Sequence, residues 1–131
     1  MSRLFIFTTA LIMAVASVSC ESERVVRPGP CTADFRPGLE VEAVDADSGE
    51  PVVSGALIVA VDGQFVDTLS VCASTADGTP IWACGAGERP GNYTVSVEKS
   101  GYKTWIQPNV RVDQDRCHVI TVRLRAQLAT L

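Results

Sequence analysis

The sequence predicts an all-β fold: a seven-stranded antiparallel β-sandwich with Greek-key connections. Three observations predict it. From Gly38 onward, short apolar or alternating segments are separated by turn residues every 8 to 12 positions. No segment there repeats its apolar residues at the spacing of a helix. Cys31, Cys72, Cys84 and Cys117 can pair, and covalent ties help a small domain that buries only a modest core.

The 131 residues leave room for one such domain. It is preceded by "MSRLFIFTTALIMAVASVSC", with Arg3, an apolar run from Leu4 to about Val15, and small residues up to Cys20. This is the pattern of a secretory signal at 1–19, and the apolar run is shorter than the roughly 20 residues of a membrane span. Two cleavages compete. "AVA" at Ala14–Ala16 suits cutting before Ser17. "SVSC" resembles a bacterial lipobox, in which Cys20 becomes the lipidated first residue, although Ser17 replaces the usual leucine. Five cysteines favour the second reading, because lipidation of Cys20 leaves an even number. The expected destination is a membrane-anchored lipoprotein of the bacterial cell envelope, and the alternative is a soluble secreted or periplasmic protein. Removing 1–19 takes away Arg3 and no acid, leaving 112 residues with 10 basic and 15 acidic side chains, a net of −5. That balance, with scattered basic residues, argues against a nucleic-acid partner.

Residues 20–36 read as the lipidated N-terminus and a polar tether containing Pro28, Gly29 and Pro30. The sandwich is expected at 37–126. "LEVEAV" alternates, with Leu39, Val41 and Ala43 on one face and Glu40 and Glu42 on the other. "DADSGEPV" is a turn. "GALIVAV" is a continuous apolar run, as in a central strand buried on both faces. Asp62-Gly63 between apolar runs predicts a type I′ hairpin into "QFVDTLSV". "PIWAC" follows the turn "TADGT", and "NYTVSVE" follows Pro90-Gly91, with Tyr93, Val95 and Val97 facing the core. "YKTWIQ" and "PNVRV" come next. "CHVITVRLRAQL" closes the sandwich with Ile120, Val122 and Leu124 inward, and 127–131 form a short tail.

The segments "A.DA..GEPV.GA....V..G" and "PGNYTV.V...GY", with a final "V.L", resemble the carboxypeptidase regulatory-like domain over roughly residues 38–126. The matching positions are Ala43, Asp45, Gly49 to Val52, Gly55, Ala56, Gly63, Pro90 to Val95, Gly101, Tyr102, Val122 and Leu124. The resemblance implies a transthyretin-like, Ig-like sandwich related to carbohydrate-binding-like folds. It also implies a non-catalytic role beside enzymes, in outer-membrane receptors, or alone in lipoproteins. "VCASTADGTPIWAC" departs from the pattern by carrying two cysteines.

Four cysteines allow three pairings. The favoured one joins Cys72 to Cys84, which flank one turn, and Cys31 to Cys117, which tie the end of the tether to the last strand. No C-x-x-C, G-x-S-x-G or H-E-x-x-H occurs, and His118 is the only histidine. No catalytic site, metal or cofactor is therefore expected. Asp45, Asp47 and Glu50 read as turn formers rather than calcium ligands. His118 is expected at the rim of the core. Trp105, flanked by Lys103 and Gln107, is the candidate exposed aromatic for a ligand. The expected role is structural or protein-interacting, with an envelope protein as partner, and the alternative is a carbohydrate-binding module with a glycan partner.

Overall fold

The computed structural model describes residues 29–131. The expected signal peptide at 1–19 and the lipidation at Cys20 lie outside the described residues. Eight strands and no helix form among the described residues: β1 (Leu39–Asp45), β2 (Leu57–Asp62), β3 (Phe65–Thr68), β4 (Ser70–Ser74), β5 (Pro80–Gly85), β6 (Gly91–Glu98), β7 (Trp105–Val112) and β8 (Val122–Leu128). They make two four-stranded sheets. Sheet A runs β4-β5-β1-β8 and sheet B runs β3-β2-β6-β7.

The inward faces follow the period of two that strands impose. Leu39, Val41 and Ala43 of β1, Ala126 and Leu128 of β8, and Ala83 of β5 come from sheet A. Ile58 and Ala60 of β2 and Tyr93, Val95 and Val97 of β6 come from sheet B. All are at most 2% exposed. This is the layered core of a β-sandwich.

Two features of the expected topology are corrected. The described residues form eight strands where seven were expected, because "QFVDTLSV" is divided between the sheets. β3 pairs with β2 in sheet B, β4 pairs with β5 in sheet A, and the chain crosses at Leu69. Leu69 is 7% exposed, and its N–H donates to the Ile58 carbonyl at 2.9 Å. Nor is the fold purely antiparallel. β1 pairs with β8 in parallel along all seven residues, Leu39 opposite Val122 through Asp45 opposite Leu128. Side-chain alternation encodes which face is buried and carries no sign of direction, so the sequence pattern is the same either way.

Local expectations shift as well. β2 is not buried on both faces: Leu57 is 48% and Val61 36% exposed, since sheet A covers only one side of sheet B. The hairpin between β2 and β3 centres on Gly63 and Gln64, because Asp62 pairs with Phe65 as the last rung. Only Gly63 of these takes positive φ (59°), the arrangement of a type II′ turn rather than type I′. The last strand starts at Val122, not Cys117. Residues 113–121 are a turn in which Asp115 Oδ1 accepts the N–H groups of Cys117 and His118. That turn resets the alternation, so Val119 is buried at 2% and Ile120 is 54% exposed. The expected tail begins inside β8, and beyond it Thr130 bridges to Tyr102.

Residues 29–38, the 62–65 hairpin, the 86–91 loop and the 113–121 turn share one end of the sandwich. The 46–56 loop and the 99–104 turn share the other, linked by Tyr102 Oη donating to Asp45 Oδ2 and by Lys99 Nζ on the Ser54 carbonyl.

Candidate interaction surface

Trp105, Lys103 and Gln107 do not form the expected patch. Trp105 sits opposite Val97, which is fully buried, and facing residues of an antiparallel pair project to the same side. Trp105 is therefore half-buried against the core, and its neighbour Ile106 points outward at 59% exposure. Lys103 lies in the preceding turn, its N–H bonded to the Ala129 carbonyl, and Gln107 Nε2 donates to the Pro108 carbonyl. Tyr102 belongs to the bridge with Thr130 and not to β7, so the strand begins at Trp105 and not at the start of "YKTWIQ".

Two pairs of charged side chains meet elsewhere, on the outer face of sheet A. The parallel register sets Glu40 beside Arg123 and Glu42 beside Arg125. Arg123 Nε donates to Glu40 Oε2 at 2.5 Å, and Arg125 Nη1 to Glu42 Oε2 at 3.2 Å. The arginine side chains remain 72% and 53% exposed. The Arg123 guanidinium lies 5.9 Å from the centre of the Trp82 ring, in cation–π range. Glu40, Trp82, Arg123 and the Cys72–Cys84 disulfide line a shallow groove of about 320 Å³. In the sequence the paired acids and arginines stand in "LEVEAV" and "VRLRAQL", 83 positions apart. Acids alternating in one strand and arginines in another were the available signal.

The outer face of sheet B is different. Rows such as Thr68–Val59–Ser96–Ile106 and Val66–Val61–Thr94 run across it. Its middle rows are aliphatic and hydroxyl, with Val66 62% exposed, and charged side chains stand toward its ends, Glu98 opposite Leu57 and Arg111 opposite Asn92.

Cys31 is bonded to Cys117 with Cα atoms 5.2 Å apart, and Cys72 to Cys84 with Cα atoms 5.7 Å apart. Beside the first bridge, His118 Nδ1 lies 2.9 Å from Glu88 Oε1, and Nε2 lies 3.0 Å from Thr32 Oγ1. Glu88 Oε1 also accepts the Arg36 N–H at 2.8 Å. The hydrogen bond from His118 holds the Glu88 carboxyl below its ordinary range. Since a carboxylate only accepts, Nδ1 donates, and a neutral ring takes the Thr32 hydroxyl proton at Nε2. The cluster locks the end of the N-terminal arm onto the sandwich, with His118 at the rim of the core.

Asp45, Asp47 and Glu50 form a turn. Asp45 Oδ1 accepts the N–H groups of Asp47 and Ser48, both at 2.9 Å, and Oδ2 accepts the Tyr102 hydroxyl. These bonds, that from Ser48 foremost, lower the Asp45 carboxyl from its ordinary value. No family model matches the chain, and no curated protein matches it significantly.

Proposed function

We propose that this chain is a non-catalytic lipoprotein of the bacterial cell envelope, and that its carboxypeptidase regulatory-like, Greek-key sandwich is a protein-interaction module. The observation that carries this reading is the Cys31–Cys117 bridge, which spans 86 residues. It lies 11 positions after Cys20, and an extended chain covers at most about 3.6 Å per residue, so the bridged end stays within roughly 40 Å of the lipid. The bridge fixes where the arm leaves the domain, at the end opposite the 46–56 and 99–104 loops, which an anchor at Cys20 would leave facing away from the membrane. Two disulfides are compatible with an exported protein.

Mass spectrometry of the mature N-terminus tests the anchor. A diacylated peptide beginning at Cys20 is the expected result, and an unmodified N-terminal Ser17 refutes it. Cross-linking in intact cells, followed by affinity capture, tests the interaction role, with a discrete envelope protein as the expected product. Trp82 in the sheet A groove favours the second reading, a carbohydrate-binding module, and a glycan array separates the two.

A further inference from the structure

Four strands lie at sheet edges, and three of them are blunted. β3 has only four residues before the chain crosses at Leu69. β4 slips register twice, between Val71 and Ala73 and between Ala73 and Ser74. β7 carries Pro108 in mid-strand and a register shift opposite Tyr93–Val95, with Asn109 at φ 56°. Short length, proline and bulges are the usual devices that keep an edge from pairing. β8 has none of them within its length: seven residues, no proline, no glycine and an unbroken register against β1, and only past its end do the Ala129 carbonyl and Leu131 N–H pair with Lys103 and Gly101.

The parallel geometry shows which groups its open edge offers. In a parallel pair, both backbone groups of a given residue point to the same neighbour. Val122 donates its N–H to Gly38, and the Leu128 carbonyl accepts from Ala46, so the even-numbered residues of β8 face β1. Arg123, Arg125 and Gln127 therefore point their N–H and C=O groups to the free edge. Their side chains stand on the outer face, while Val122 and Leu124 are half-buried on the core side.

We infer that the open edge of β8 accepts an extended segment of a partner protein whose residues alternate between acidic and aliphatic. β1 displays this chemistry on the closed side: Glu40 and Glu42 meet the two arginines, and Leu39 and Val41 meet Val122 and Leu124. Charges on an edge ordinarily deter pairing. Here each guanidinium has five donors, is more than half exposed, and gives one of its hydrogen bonds to a carboxylate of β1, so a second carboxylate on the far side meets attraction. A second copy of this chain is a poor occupant. Antiparallel β8–β8 pairing centred on Arg125 sets that arginine against itself, and like charges directly opposite are destabilising. This is strand addition, with the backbone supplying affinity and the arginines supplying selection. It rests on the reading of the domain as a protein-interaction module.

The test uses the mature full-length chain and two capped heptapeptides, one alternating valine with glutamate and one alternating valine with lysine. The glutamate peptide should bind and shift the backbone amide resonances of Arg123, Arg125 and Gln127, and the lysine peptide should bind at least about tenfold more weakly. Gln127→Pro removes a donor that faces only the open edge. It should abolish binding while leaving the β1–β8 amide protection intact. If Q127P fails to fold, N-methylation of alternate residues in the glutamate peptide replaces it and should likewise abolish binding. Equal binding of the two peptides, shifts confined to sheet B, or no binding overturns the inference. If the peptides fail while cross-linking still captures an envelope protein, the edge assignment falls and the interaction role stands. If both fail, the interaction role falls with it.

Discussion

The two sheets share one core and present opposite outer faces. On sheet A the outward side chains are charged and mutually satisfied: Glu40 with Arg123, Glu42 with Arg125, and Trp82 beneath a guanidinium with a disulfide at its margin. On sheet B the middle rows are aliphatic and hydroxyl, with Leu57, Val66 and Ile106 between 48% and 62% exposed, and charge is confined to the ends at Glu98 and Arg111. The cause lies in the strand sequences. β1 and β8 alternate apolar with charged residues, whereas β2 alternates apolar with apolar. A strand that is apolar on both faces is not thereby central to the protein; here it is central to its sheet, with one face in water.

The largest test of this contrast removes the covalent ties. Cys31→Ser with Cys117→Ser opens an 86-residue loop and should cost about 4.5 kcal/mol in the chain-entropy account, measured by urea denaturation of the otherwise oxidised protein. Cys72→Ser with Cys84→Ser opens a 12-residue loop and should cost about 3 kcal/mol. The second loss should also be local, with hydrogen exchange rising in β4 and β5 before β2 and β6. Uniform acceleration would mean that the disulfide does not belong to sheet A in particular.

Next come two neighbours on opposite faces of sheet B. Trp105→Ala should lower stability by about 2–3 kcal/mol, below the range for a fully buried tryptophan, and Ile106→Ala by no more than about 0.5 kcal/mol. A loss at Ile106 equal to that at Trp105 would show the outer face of sheet B to be covered. On sheet A, a double-mutant cycle on Glu42 and Arg125 should return a coupling of about 0.2–1 kcal/mol that shrinks in high salt, since both groups are in contact with water.

The smallest effect is acid sensitivity. Asp45 and Asp115 are held below their ordinary value of 3.8, and Glu88 below 4.5. A carboxyl whose value is lower when folded adds stability above its unfolded value and loses it as pH falls through the folded one. Stability should therefore decline from about pH 4.5 downward and not between pH 6 and 8 on account of these groups. Asp45→Asn should flatten part of that decline in melting temperature measured against pH.

Much of the fold was legible where alternation and turns agree. "NYTVSVE" placed Tyr93, Val95 and Val97 inward, and they are fully buried. What failed to read through were phase and direction. A turn of unknown length resets the alternation, and this turned Trp105 toward the core and exposed Ile120. The crossing at Leu69 has no punctuating glycine or proline, so two strands look like one. The parallel β1–β8 pair has no local signature, since the residues that oppose one another are 83 positions apart. For that reason the ion-paired face has no signature in either segment taken alone.

The parallel seam between β1 and β8 bears on force. A domain held by its N-terminal arm and gripped at its far end would be pulled along its strands. Strands that run antiparallel and are pulled from one end unzip rung by rung. β1 and β8, drawn in opposite directions from Leu39 and Leu128, would instead load the whole seven-residue ladder in shear at once. The Cys31–Cys117 bridge sits at the Leu39 and Val122 end of that seam, so a pull entering through the arm is shared between the chain leading into β1 and, through Cys117, the chain leading into β8. The geometry is that of a fastener that resists a lengthwise tug.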